Sequence, residues 1–145
     1  MGSVFAFTRK VATLDPKATA EEAVRLTSFS ALEINKEDLR EGQTSQGIPL
    51  EPSYSSPLYA INKQKQNPLP GLFNPDLYVT GAFYRGFQIT LGNYSFTIDS
   101  EDSKAPDLEA KYGKWIYGLS PQGREKYVPI LYNKMLTLLK QQIGL

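Results

Sequence analysis

Asp99-Ser100-Glu101-Asp102-Ser103 is the densest run of side chains able to do chemistry: it sets Asp99, Glu101 and Asp102 within four positions. Carboxylates so close together are the oxygen donors a Mg²⁺ or Ca²⁺ ion takes, and a metal-activated water would make a hydrolase. The run lacks the spacing and the turn-making glycine of a calcium loop. It reads more simply as a solvated loop whose Asp and Ser cap a turn beside Lys104. Glu21-Glu22 and Glu37-Asp38 are the other acidic pairs, but adjacent residues on a helix point apart and make no facing dyad. Lys63-Gln64-Lys65 and Arg9-Lys10 have the charge to touch phosphate, yet short basic runs in a near-neutral chain read as solvated surface. Phosphate-binding loops, dinucleotide fingerprints and nucleophile elbows do not occur.

What the chain lacks narrows the chemistry further. It has no cysteine and no histidine, which removes disulfides, thiolate zinc sites and Cys–His or Ser–His nucleophiles together. Catalysis would fall to carboxylates, Lys, Tyr or a carboxylate-bound metal. We therefore expect no enzyme, no cofactor and no resident metal. The net charge is +1, so no overall field recruits nucleic acid or an anionic membrane. The opening residues run from a short apolar patch into Arg9-Lys10, the reverse of a secretory signal, and no stretch approaches the ~20 apolar residues of a membrane span.

The 145 residues predict one domain, 1–145. Asp15 and Pro16 start a first helix over 16–30, with Ala31–Ile34 extending it or opening a strand. Residues 35–76 read as an extended arm, because six of the ten prolines fall between positions 49 and 75. Within it Ser56 and Pro57 can start one short helix. Leu69, Leu72 and Phe73 are apolar residues a solvated linker would not expose, so the arm reads as pinned by a partner.

Thr80-Gly81 opens the strongest β signal, as a tight corner into an alternating strand. Residues 82–91 alternate, Gly92-Asn93 turns, and residues 94–100 alternate again, predicting a hairpin over 82–100. Its core candidates are Phe83, Phe87, Ile89, Leu91, Phe96 and Ile98. Arg85 falls in the apolar register, so the strand starts after it or Arg85 finds a carboxylate. A short helix follows Ala105-Pro106 and stops at Gly113, and Trp115–Gly118 is extended or 3₁₀. Ser120 and Pro121 then start a terminal helix with a broad apolar face, in which Pro129 forces a kink or a restart. The fold class is α+β: a small antiparallel sheet packed with an N-terminal and a C-terminal amphipathic helix, plus the proline-rich arm.

The order of motifs from Asp76 through Thr80-Gly81, Ile98-Asp99-Ser100, Lys111-Tyr112-Gly113, Ile116-Tyr117-Gly118-Leu119 and Arg124 resembles that of small virion proteins of tailed bacteriophages, particularly those of Bacteroidetes. It is loosely similar to the head-to-tail joining and tail-completion family, across residues 76–143. The resemblance implies a non-enzymatic subunit of an oligomeric ring at the portal–tail neck. Partners would be sister copies, the portal, adjacent neck rings or tail proteins, with no membrane and only incidental DNA contact in the lumen. The protein would reside in the virion, assembled in the host cytoplasm. Candidate subunit-interface residues are Leu69, Leu72, Phe73, Tyr84, Trp115, Tyr117, Tyr132 and Leu136. Nine tyrosines suit such surfaces, since each offers a rigid apolar face and a polar tip. The alternatives are a cytoplasmic adaptor that binds a peptide along the hairpin, and a metal-dependent hydrolase using Asp99, Glu101 and Asp102.

Overall fold

Asp15 accepts a hydrogen bond from Ala18 N at 3.1 Å through its side chain, and Pro16 follows as the first helical residue, so helix α1 begins where cap chemistry places it (Pro16–Leu26). The computed structural model describes residues 14–93 and 95–145. The opening segment with Arg9-Lys10, and Tyr94 of the second alternating run, lie outside the described residues. Among those described, the fold is α+β: six α-helices and a two-stranded antiparallel sheet.

The expected helix over 16–30 is two helices. Thr27 leaves helical geometry (φ −109°, ψ 9°), and its Oγ1 turns back to donate to Ala23 O at 2.7 Å. A β-branched hydroxyl that competes for its own backbone in this way bends or ends a helix. Helix α2 (Ser28–Arg40) follows at once. It takes in residues 35–40, the start of the expected arm. Asn35 and Asp38 look like loop residues but are buried, and they spend their side chains on a distant turn. Asn35 Nδ2 donates to Ile116 O (3.1 Å), Gly118 N donates to Asn35 Oδ1 (2.9 Å) and Ser120 N donates to Asp38 Oδ2 (3.3 Å).

The proline-rich region lies on its own body. Gln43 and Pro49 form a bridge closed by Thr44 N to Ile48 O (2.8 Å), which brings Leu50 into the core. Helix α3 (Pro57–Gln66) starts as expected, with Ser56 Oγ accepting from Tyr59 N. Beyond it, Asn67 Nδ2 donates to Arg40 O (2.8 Å), Tyr54 N donates to Phe73 O (2.8 Å), and Pro75 is fully buried. Gly42 permits this docking: with φ 78°, its missing Cβ would stand 2.8 Å from Pro70 Cβ.

The corner at Thr80-Gly81 does not open a strand. Gly81 takes φ 84° and leads into one helical turn, α4 (Ala82–Arg85). Strand β1 (Phe87–Leu91) begins after Arg85, the first of the two outcomes that residue allowed, and pairs antiparallel with β2 (Phe96–Ser100), Ile89 opposite Ile98. Phe83, Phe87 and Ile98 are buried, whereas Ile89, Leu91 and Phe96 are half-buried. Phe83 and Phe87 meet edge to face at 5.0 Å, inside a core shared with Ile34, Leu39, Leu77, Ile116 and Tyr127.

Helix α5 (Ala105–Tyr112) stops at Gly113, and Lys114–Ile116 is a 3₁₀ turn. Helix α6 (Pro121–Gln142) starts with Ser120 Oγ accepting from Gly123 N at 2.9 Å, and it runs through Pro129 without restarting. Tyr127 OH and Thr27 Oγ1 share a buried hydrogen bond of 2.8 Å that ties α6 to the α1–α2 break. No helix among the described residues is long and apolar enough to cross a membrane.

Candidate functional site

The acidic run is dispersed by its backbone. Glu101 N donates to Gly86 O (2.9 Å), which continues the hairpin, and the Glu101 side chain points to solvent. Asp102 Oδ2 accepts from Lys104 N (3.1 Å), while Ser100 Oγ accepts from Asp102 N (3.2 Å) and donates to Phe83 O (2.9 Å). These are the turn-capping roles read from the sequence. Among the described residues no group of three or more acids is placed to hold a metal ion.

Asp99 stands apart. Its Oδ1 is buried and has no hydrogen-bond partner. An unpaired buried carboxylate oxygen is costly to the fold. Asp99 lines an open groove of about 920 Å³ between β2, the α5–3₁₀ segment and α6. Phe96, Trp115, Tyr117, Tyr127, Val128 and Leu131 make its walls mostly apolar. Trp115 and Val128 are each 57% exposed, although both are large apolar side chains.

The groove is firmly built. Ser45 N donates to Trp115 O at 2.7 Å, and Asn35 holds the next carbonyl, so the backbone under the indole is anchored from two elements. Tyr117 OH donates to Glu109 Oε1 at 2.9 Å, and its ring lies 5.6 Å from that of Phe87. Burial, then the carboxylates of Glu109 and Asp99, pushes the Tyr117 phenol well above its ordinary range, so it stays a neutral donor. Phe96 and Tyr127 close the far wall, ring centroids 5.9 Å apart.

A second cleft, of about 560 Å³, opens toward α3 and the α4 corner. Tyr54, Tyr59, Tyr78 and Tyr112 line it with Lys104 and Lys111. It contains Thr80 and Gly81, so the corner that reads as a strand start instead borders a cavity.

Of the expected interface residues, Trp115 and Tyr117 line the groove, and Tyr132 is exposed farther along α6, where Leu136 is half-buried. Leu69 and Leu72 are exposed on the arm, and Phe73 is half-buried. Tyr84 is corrected. It is 3% exposed, with its hydroxyl donating to Asp76 O and its ring edge to face with Tyr78, so it belongs to the core. Lys63, read as solvated, is also buried and pairs with Asp76 at 2.8 Å. Val128 and Leu131 of the groove belong to the broad apolar face expected of the terminal helix, whereas the Lys63–Asp76 pair carries no local signal and is brought together only by the fold. Compared with known proteins, the chain matches no family model, no curated protein and no solved structure.

Proposed function

We propose that the chain is a structural subunit of a tailed-bacteriophage particle, one copy of an oligomeric ring at the portal–tail neck. The open groove under Trp115 and Val128 is the observation that carries this reading: a rigid, largely apolar surface left uncovered. Contiguous apolar surface of this kind marks an interaction site. The order of motifs over residues 76–143 supports the same reading. Because the arm is folded on its own chain, a neighbour would meet its exposed residues, among them Leu58, Ile61, Leu69 and Leu72, together with the groove. Contacts in a ring are heterologous, so one patch meets a different patch on the next copy.

Electron microscopy of the purified full chain, alone and mixed with portal protein, tests the proposal, and rings or joint complexes are expected. A protein that stays monomeric and joins no virion component overturns it. The adaptor reading keeps one observation in its favour: the sheet has only two strands among the described residues, so its outer edges lack a further strand. Recovery of a host protein in place of virion proteins would support that reading.

A further inference from the structure

Helix α3 has two unlike faces. Ala60 and Lys63 are buried against the body, while Leu58, Ile61 and Lys65 are exposed. Positions 58, 61 and 65 follow the i, i+3, i+7 spacing of a single helical stripe, which points away from the body. Leu58 is 70% exposed, and Lys65 has no ion-pair partner among the described residues. A short helix that shows solvent two large aliphatics and a cation has the pattern of an anchor for an apolar groove.

The groove described above has the complementary pattern. Its walls are aliphatic and aromatic, and its chemistry includes the unpartnered Asp99 Oδ1 with Glu109 close by. Its own exposed cations, Lys114 and Arg124, form neither a hydrogen bond nor an ion pair with Asp99 among the described residues. No residue of α3 lines it. The two surfaces therefore belong to different parts of one molecule, as a heterologous contact requires.

We infer that the groove takes helix α3 of a second copy of this chain, with Leu58 and Ile61 against Trp115 and Val128 and Lys65 directed to Asp99. This deepens the ring reading and rests on it. Repeating the contact from copy to copy propagates a single interface, closed into a ring when the rotation allows.

Sedimentation velocity over a concentration series of the full chain tests the pairing. Lys65→Glu and Asp99→Lys should each weaken self-association by about tenfold or more, as for close interfacial charge pairs, and the two together should restore it. Ile61→Glu on the exposed stripe should also weaken it, and neither this nor Lys65→Glu touches the core, so failure of Asp99→Lys to fold leaves the test intact. Self-association indifferent to Lys65→Glu and Ile61→Glu overturns the α3 contact and leaves the ring reading standing. A wild-type chain that remains monomeric at every concentration overturns the contact too, and if it also joins no virion component the ring reading goes with it.

Discussion

Lys63 Nζ lies 2.8 Å from Asp76 Oδ1, and the two side chains are only 10% and 4% exposed. Around them Lys63 also donates to Tyr78 O, while Asp76 accepts from Asn67 Nδ2 (3.1 Å) and Tyr78 N (3.0 Å). One buried pair thus gathers α3, the segment that follows it and the approach to the α4 corner. Removing one member leaves an uncompensated charge out of water. Asp76→Ala or Lys63→Met should each cost about 3–5 kcal/mol in urea unfolding, and the double substitution less than the sum.

Gly42 makes a sharper test of how the arm is held. Alanine there must adopt φ 78° and place its Cβ 2.8 Å from Pro70 Cβ and 3.2 Å from Pro75 O. Left-handed backbone costs a side-chain-bearing residue about 1–2 kcal/mol before any clash. Gly42→Ala should release the 67–75 segment, seen as faster limited proteolysis there than in α6. Equal rates for wild type and variant would show that the arm is held elsewhere.

Phe87 and Leu136 separate the core from the outer helix. Phe87 touches the rings of Phe83, Tyr84 and Tyr117, so Phe87→Ala should cost about 3–5 kcal/mol. Leu136 is half-buried on a stretch of α6 with no buried residue past Tyr127, so Leu136→Ala should cost clearly less. Equal shifts in the urea midpoints would contradict this burial pattern.

Alkaline titration should single out four tyrosines that the fold holds neutral. Burial pushes the phenols of Tyr54, Tyr84, Tyr117 and Tyr127 upward, reinforced at Tyr54 and Tyr84 by the Asp76 charge and at Tyr117 by Glu109. A group whose folded pKa lies above its unfolded one contributes stability that is complete below the unfolded value, about 10 for Tyr, and is lost as pH rises past it. Stability should therefore fall with pH above about 10. Absorbance at tyrosinate wavelengths should show these four phenols, of nine, ionising only as the chain unfolds. Smooth ionisation of all nine in a folded chain would refute the assignment.

Cap chemistry made much of the helical frame legible from sequence. Asp15, Ser56 and Ser120, each followed by proline, mark three helix starts, and Gly113 marks a stop. Such signals act within one turn of chain and need no distant partner. The proline density that follows draws residues 35–40 into the expected arm, whereas Asn35 and Asp38 are fixed by partners more than eighty residues away. The alternation Phe83/Arg85/Phe87 mimicked a strand, but Gly81 and Gly86 bracket a helical turn whose Phe83 and Tyr84 fall on the core side. Of the groove, Trp115 and Tyr117 were legible as candidate interface aromatics. Asp99 was noticed for metal chemistry, and its isolation beside an apolar wall appears only when β2, α5 and α6 come together.

Trp115 is the single tryptophan of the chain, and its peptide group is held from Ser45 while the next is held from Asn35. A large ring on so stiff a mount surrenders little backbone freedom when it is covered, which keeps the entropic toll of complex formation low. Its emission also arises from one place on the surface, so the unlabelled protein carries its own optical probe: whatever shields that face from water should shift the spectrum toward the blue.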